Sequence, residues 1–229
     1  FATAVVLFLF FWKDWLRIIR GIITSLAGKK IADDPNAKLG WLILVATIPA
    51  GILGLLFQEQ IRSYFISPAS AAFFLILNGV LLYGAERLRR KAALHKDGVG
   101  DSRIASLSWR QGILVGGMQA LALIPGFSRT GASIAGGLLV GLSHEDAVRF
   151  SFLLATPIIG AAAALKLPEL AGAGAQAIGT SIVGAVFAAL FAFLSVRFLT
   201  RYFRIENHTL TPFAIYCALA GFSALLYVL

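Results

Sequence analysis

Residues 109–142 read WRQGILVGGMQALALIPGFSRTGASIAGGLLVGL, two apolar segments divided by Pro125-Gly126-Phe127-Ser128-Arg129-Thr130-Gly131. The first segment, 111–124, has 14 residues and the second, 132–142, has 11. At about 1.5 Å of rise per residue, neither reaches across a hydrocarbon layer of about 30 Å. Proline and two glycines break the helix between them. The pattern predicts a re-entrant helical hairpin, entering and leaving a membrane on one side, with its tip near mid-depth. Non-helical backbone at that depth is tolerated only where protein or a polar cavity surrounds it.

The rest of the chain supports a membrane setting. Of its 229 residues 59% are hydrophobic and 14% charged, too little polar surface for a water-soluble domain of this length. Apolar blocks at 41–57, 69–83 and 177–194 alternate with charged stretches. The formal charge of +9 would suggest nucleic acid in a soluble protein, but here it is gathered into a few connections and reads as topology. Lys13, Arg17, Arg20, Lys29, Lys30 and Lys38 precede the block at 39–57, only Arg62 lies in 58–67, and Arg87, Arg89, Arg90, Lys91, Lys96, Arg103 and Arg110 follow the block at 68–83. Positive charge stays inside, so 39–57 and 68–83 are two spans. Arg197, Arg201 and Arg204 mark another inside connection, against Lys166 alone outside. This places Ala93 and Asn207 inside, Ser63 and Gly172 outside. An even number of crossings must separate Arg110 from Arg197. Spans at 147–165 and 177–198 supply two, which leaves 109–142 to return on its own side. The run 1–12 is too short to cross alone and is expected to continue upstream. Cys217, the single cysteine, reads as a small buried hydrophobe.

Arg129 is the residue with most chemistry in it. A guanidinium deep in a membrane requires an anionic partner or a wet cavity. Ser128, Thr130 and Ser133 add hydroxyls, and the returning half-helix presents free amides at its N-terminus. A bidentate donor, hydroxyls and amides that glycine lets approach closely make a phosphate cradle. The competing reading is an arginine reaching back to an interface. Gln119 reads either as facing the same cavity or as a hydrogen-bonding contact between helices. Gly136 and Gly137 read as close-packing points, and Ser143 with Asp146 as the start of a helix, which accounts for His144 and Glu145 without catalysis.

The string Gln119-Ala120-Leu121-Ala122-Leu123-Ile124-Pro125-Gly126-Phe127-Ser128-Arg129-Thr130-Gly131 resembles the second signature of the undecaprenyl-diphosphate phosphatases of the bacitracin-resistance type. Thr130 stands where serine is usual, and the hydroxyl is kept. The similarity continues through 150–157 and 212–216 and covers essentially the whole chain. It implies an all-α polytopic membrane protein of two inverted-topology repeats, each a re-entrant hairpin followed by three transmembrane helices. Residues 1–108 would be the remainder of the first repeat, with three transmembrane helices and cytoplasmic loops. Residues 109–229 would be the second, with its hairpin at 109–142. The first hairpin, with the family's acidic residues and a Ser-Ser-Thr-Gly-His turn, is expected upstream of Phe1.

The activity implied is hydrolysis of undecaprenyl diphosphate to undecaprenyl phosphate in the bacterial cytoplasmic membrane. Arg129 and Ser128 would be catalytic, and Gln119, Gly126, Phe127, Thr130, Gly131 and Ser133 substrate-binding. Mg²⁺ or Ca²⁺ is implied by the resemblance, with no ligands in these 229 residues, which are therefore expected to be inactive alone. The partners expected are the isoprenyl diphosphate and membrane lipids and no nucleic acid, with a homodimer left open. A different lipid phosphatase class, ending in S-R-x5-H-x3-D, does not fit, since the next histidine after Arg129 is His144. A transporter or flippase of an anionic lipid is the rival from another class, because broken helices in inverted repeats are transporter architecture.

Overall fold

The computed structural model describes residues 1–28, 31, 34–65, 67–91, 101–172, 175–205 and 208–228, and every regular element among them is helical. Lys29, Lys30, Ala93, His95, Lys96 and Asn207 lie outside the described residues. Ten α-helices follow in order: α1 (Ala2–Phe10), α2 (Trp12–Leu26), α3 (Pro35–Phe65), α4 (Pro68–Lys91), α5 (Asp101–Ala105), α6 (Trp109–Met118), α7 (Arg129–Leu139), α8 (His144–Ala171), α9 (Ala175–Tyr202) and α10 (Thr211–Val228).

Among the described residues five stretches are long and apolar enough to cross a membrane: Pro35–Phe57, Pro68–Lys91, His144–Pro168, Ile178–Tyr202 and Thr211–Val228. The helices outrun the apolar blocks because helical hydrogen bonding continues into charged ends. The last turn of α4 carries Arg89, Arg90 and Lys91, which favour a helix C-terminus. Large apolar side chains are widely exposed, among them Leu55, Val186, Phe191 and Leu219, as the surface of a protein solvated by lipid requires. The chain is a multi-pass membrane protein. Of the three spans expected within 1–108, α3 and α4 have the length, whereas the nine residues of α1 extend only about 13 Å.

Small residues set the helix contacts. A Cβ added at Gly79 would lie 2.7 Å from the Ala214 carbonyl oxygen, and one at Gly221 would lie 2.8 Å from that of Ala72. These two glycines let α4 and α10 run antiparallel at close range. Gly116 meets the Ala46 carbonyl in the same way, joining α6 to α3. Gly136 approaches Met118 on α6 and Gly137 approaches Ala147 on α8, so both act as packing points.

Residues 12–26, counted above as part of a basic connection, form a helix with three stripes. Ile18, Gly21 and Ile22 pack toward α3, where Gly40 and Ala37 receive them. Trp12, Leu16, Ile19, Ile23 and Leu26 form an exposed apolar row, and Lys13, Arg17 and Arg20 an exposed basic one. Spacings of three and four residues produce this division.

Candidate active site at the hairpin tip

The hairpin is built by local chemistry. Ser108 caps α6 in a capping box with Gln111, each side chain bonding the other's backbone amide. After Met118 the chain tightens into a 3₁₀ turn, Gln119–Leu123. At Pro125-Gly126 it reverses. Gly126 has φ +104°, and a Cβ there would lie 2.3 Å from the Ala71 carbonyl oxygen. Only glycine fits both demands. Helices α6 and α7 have ten and eleven residues and pack against each other, and neither is long enough to cross.

The tip is seated on α4. Gly126 touches Ala71 and Leu75, Phe127 packs on Phe74 with ring centroids 5.7 Å apart, and the Ser128 amide donates to Asn78 Oδ1 at 3.2 Å. Asn78 is itself fully buried, and its Nδ2 donates to Cys217 Sγ on α10 at 3.4 Å. It stands about 15 Å from the Pro68 end of α4 and about 20 Å from the Lys91 end. The tip thus meets α4 close to its middle.

From Gly131 to Leu138 every residue of α7 is buried, while Ser128 and Arg129 at its start are exposed. Ser128 is the N-cap, its Oγ accepting from the Gly131 amide at 3.1 Å. That bond leaves the hydroxyl proton free to donate outward. The amides of Arg129 and Thr130, first in the helix, have no intrahelical acceptor. No acidic residue occupies the first turn to offset them. Among the described residues the Arg129 guanidinium has neither an ion pair nor a hydrogen bond, and the Thr130 hydroxyl is likewise unengaged. The start of α7 therefore carries, within three consecutive residues, a guanidinium, two hydroxyls and two amides, all able to donate.

The remaining residues read from sequence take other positions. Ser133 is 1% exposed, its hydroxyl bonded to the Arg129 carbonyl at 2.7 Å and to Ser151 Oγ on α8 at 2.9 Å. It braces the first turn from behind and does not face the mouth. Gly131 lies against Ser128 and Asn78, where a Cβ would come 3.2 Å from the serine Cβ. Gly126 and Phe127 form the wedge on α4. Gln119 is 2% exposed, and neither atom of its amide has a hydrogen-bond partner among the described residues, so of its two readings the bond between helices is not met. Asn78 and Ser151 escaped the sequence reading, although a lone asparagine within an apolar span was a signal for the first.

His144 also proved to have a partner that local sequence hides. Its Nε2 lies 2.7 Å from Glu86 Oε2, Arg90 Nε donates to Glu86 Oε1 at 3.1 Å, and the Leu210 amide donates to Oε2 at 3.2 Å. The ring stacks on Phe203. Ser143 does cap α8, accepting from the Asp146 amide at 3.0 Å.

A divalent cation needs several oxygen donors. The tip carries no carboxylate, and among the described residues no group of three or more His, Cys, Asp or Glu side chains comes together. These residues do not make a site for the metal that the resemblance implies.

Comparison with known proteins bears on what the mouth receives. The chain is 48% identical over 241 residues to an undecaprenyl-diphosphatase of Mycolicibacterium paratuberculosis, covering 99% of this chain and 78% of that one. It is 42% identical over 232 residues to an undecaprenyl-diphosphatase of Acidiphilium cryptum, with 99% and 79% covered. With undecaprenyl-diphosphatase 2 of Frankia alni it shares 41% over 269 residues, with 96% and 78% covered. The model of the bacitracin resistance protein BacA family matches residues 1–223, and the chain belongs to that family.

Proposed function

We propose that the protein hydrolyses undecaprenyl diphosphate to undecaprenyl phosphate and inorganic phosphate in the bacterial cytoplasmic membrane, regenerating the lipid carrier for peptidoglycan synthesis. The observation that carries this reading is the family match, together with relatives of that name at 48% identity over nearly the whole chain. The hairpin tip is the place in the chain suited to the diphosphate. A diphosphate ester brings several anionic oxygens, and Arg129 offers a planar fork that meets two of them. The amides of Arg129 and Thr130 point the N-terminal end of α7 at the same charge.

In hydrolysis the bond between the terminal phosphorus and the bridging oxygen breaks, water supplies the new oxygen, and charge grows on the bridging and equatorial oxygens. Donors fixed in place before the reaction stabilise that charge without reorganising. Arg129 and Ser128 are assigned this role, with the Thr130 hydroxyl beside them. The buried amide of Gln119, lacking a protein partner, is assigned to the same lipid headgroup. Asn78, Gly131 and Ser133 hold the turn so that its donors stay aimed outward.

The test is phosphate release from undecaprenyl diphosphate by the purified protein in detergent, where transport has no meaning. Release above that of an Arg129→Ala control supports the assignment. Binding without release by the natural full-length protein would favour an anion carrier, since the 229 residues alone are expected to bind without turnover.

A further inference from the structure

We propose that the charged end of α9 holds the headgroup of an anionic glycerophospholipid, at a site separate from the hairpin tip. A cavity of about 400 Å³ lies against this end, lined by Arg197, Arg201, Tyr202 and His208, with Leu194 and Phe198 on its apolar side. Arg197 and Arg201 are one turn apart on one helix and so share a face. Both are exposed, and among the described residues neither guanidinium has an ion pair or a hydrogen bond. Arg204, a turn further on, is instead paired with Glu145 at 3.5 Å and lines a different cleft.

The floor of the cavity is organised. His208 Nδ1 donates to the Tyr202 carbonyl at 2.7 Å, removing an exposed acceptor from the end of α9, and its ring stacks on Tyr202 at 4.2 Å. Its Nε2 has no hydrogen bond among the described residues. A phosphate would meet two guanidinium forks here, and the described lining residues include no carboxylate.

The ligand's second half is indicated by the rest of the helix. Almost none of α9 is buried in the protein, and Val183, Val186, Phe187, Leu190, Phe191 and Leu194 are exposed below the arginines. A phosphate at Arg197 and Arg201 places an acyl chain along that face at the depth where headgroup meets hydrocarbon. Topological charge alone requires basic residues but no aromatic-walled cavity around them.

Native mass spectrometry of the full protein in a neutral detergent tests this, with dioleoylphosphatidylglycerol, dioleoylphosphatidylcholine and inorganic phosphate as separate probes. The wild type should retain phosphatidylglycerol about tenfold better than phosphatidylcholine and show no adduct with inorganic phosphate. R197Q/R201Q should lose that preference, R197K/R201K should keep a weakened one, and Arg129→Ala should keep it in full. A control with equal charge removed on α2, K13Q/R20Q, should retain it too. Equal binding of both lipids would overturn the proposal, as would retention by R197Q/R201Q or equal loss in the α2 control. Binding of inorganic phosphate as strong as that of the lipid would count against a lipid site.

Discussion

Two regions of this apolar protein set charge against a buried core, one within it and one at its edge, and they treat it in opposite ways. Around Glu86 both carboxylate oxygens are engaged, by His144, Arg90 and the Leu210 amide, and the histidine ring is stacked on Phe203. At the hairpin tip the Arg129 guanidinium and the Thr130 hydroxyl have no acceptor among the described residues, and Ser128 beside them is exposed. A cluster whose carboxylate is fully engaged ties α4, α8 and the start of α10 together. One that is all donors is finished only when an anion arrives. Saturation separates a structural cluster from a site more sharply than charge does, since both contain arginine beside an apolar core.

The contrast is broken most severely at Arg129. Arg129→Ala should lower kcat/KM for undecaprenyl diphosphate by about 10²–10³-fold, the scale of one lost transition-state donor. Its melting temperature should stay near that of the wild type, because the side chain holds nothing in the protein. Glu86→Ala should do the reverse. It strands His144 and the Leu210 amide at a buried position, which costs about 1–3 kcal/mol, visible as a lower thermal midpoint in detergent. The fraction that remains folded should keep turnover within a few-fold of wild type.

Asn78→Ala lies between the two regions in kind. It leaves the Ser128 amide unpaired at about 1–3 kcal/mol and loosens the turn that aims the donors. Stability and kcat should therefore fall together. Ser128→Ala should cost folding about 1 kcal/mol for a lost N-cap, with a kinetic loss well below that of Arg129→Ala because the amides and guanidinium remain. If Ser128→Ala proves as inactive as Arg129→Ala, the hydroxyl does more than share in holding oxygens.

The same contrast explains how far the sequence could be read. The hairpin was legible because Pro125, Gly126 and Gly131 interrupt an apolar stretch too short on either side to span, a signal contained within 34 residues. Arg129 stood out because arginine is costly there. The seat of the tip was not legible, since Asn78 and Ser128 are fifty residues apart and nothing local joins them. Glu86 and His144 are further apart still, so His144 read correctly as following a capped helix start yet its carboxylate partner was invisible. Helix α2 was readable in principle. The apolar row at 12, 16, 19, 23 and 26 has helical spacing, but counting its lysines and arginines as a connection obscured it. Ser133 was misplaced for a simpler reason: a hydroxyl four residues into a helix points a full turn away from the cap, here toward Ser151.

The most direct measurement is the affinity of a non-hydrolysable isoprenyl methylenediphosphonate for the purified protein, compared across wild type, Arg129→Lys and Glu86→Gln. The account predicts that Arg129→Lys binds at least about tenfold more weakly although its charge is kept, because a point charge replaces a bidentate fork. Glu86→Gln, once folded, should bind as the wild type does. Wild-type affinity in Arg129→Lys, or an equal loss in Glu86→Gln, would contradict the claim that the unsatisfied donors of the hairpin tip receive the diphosphate.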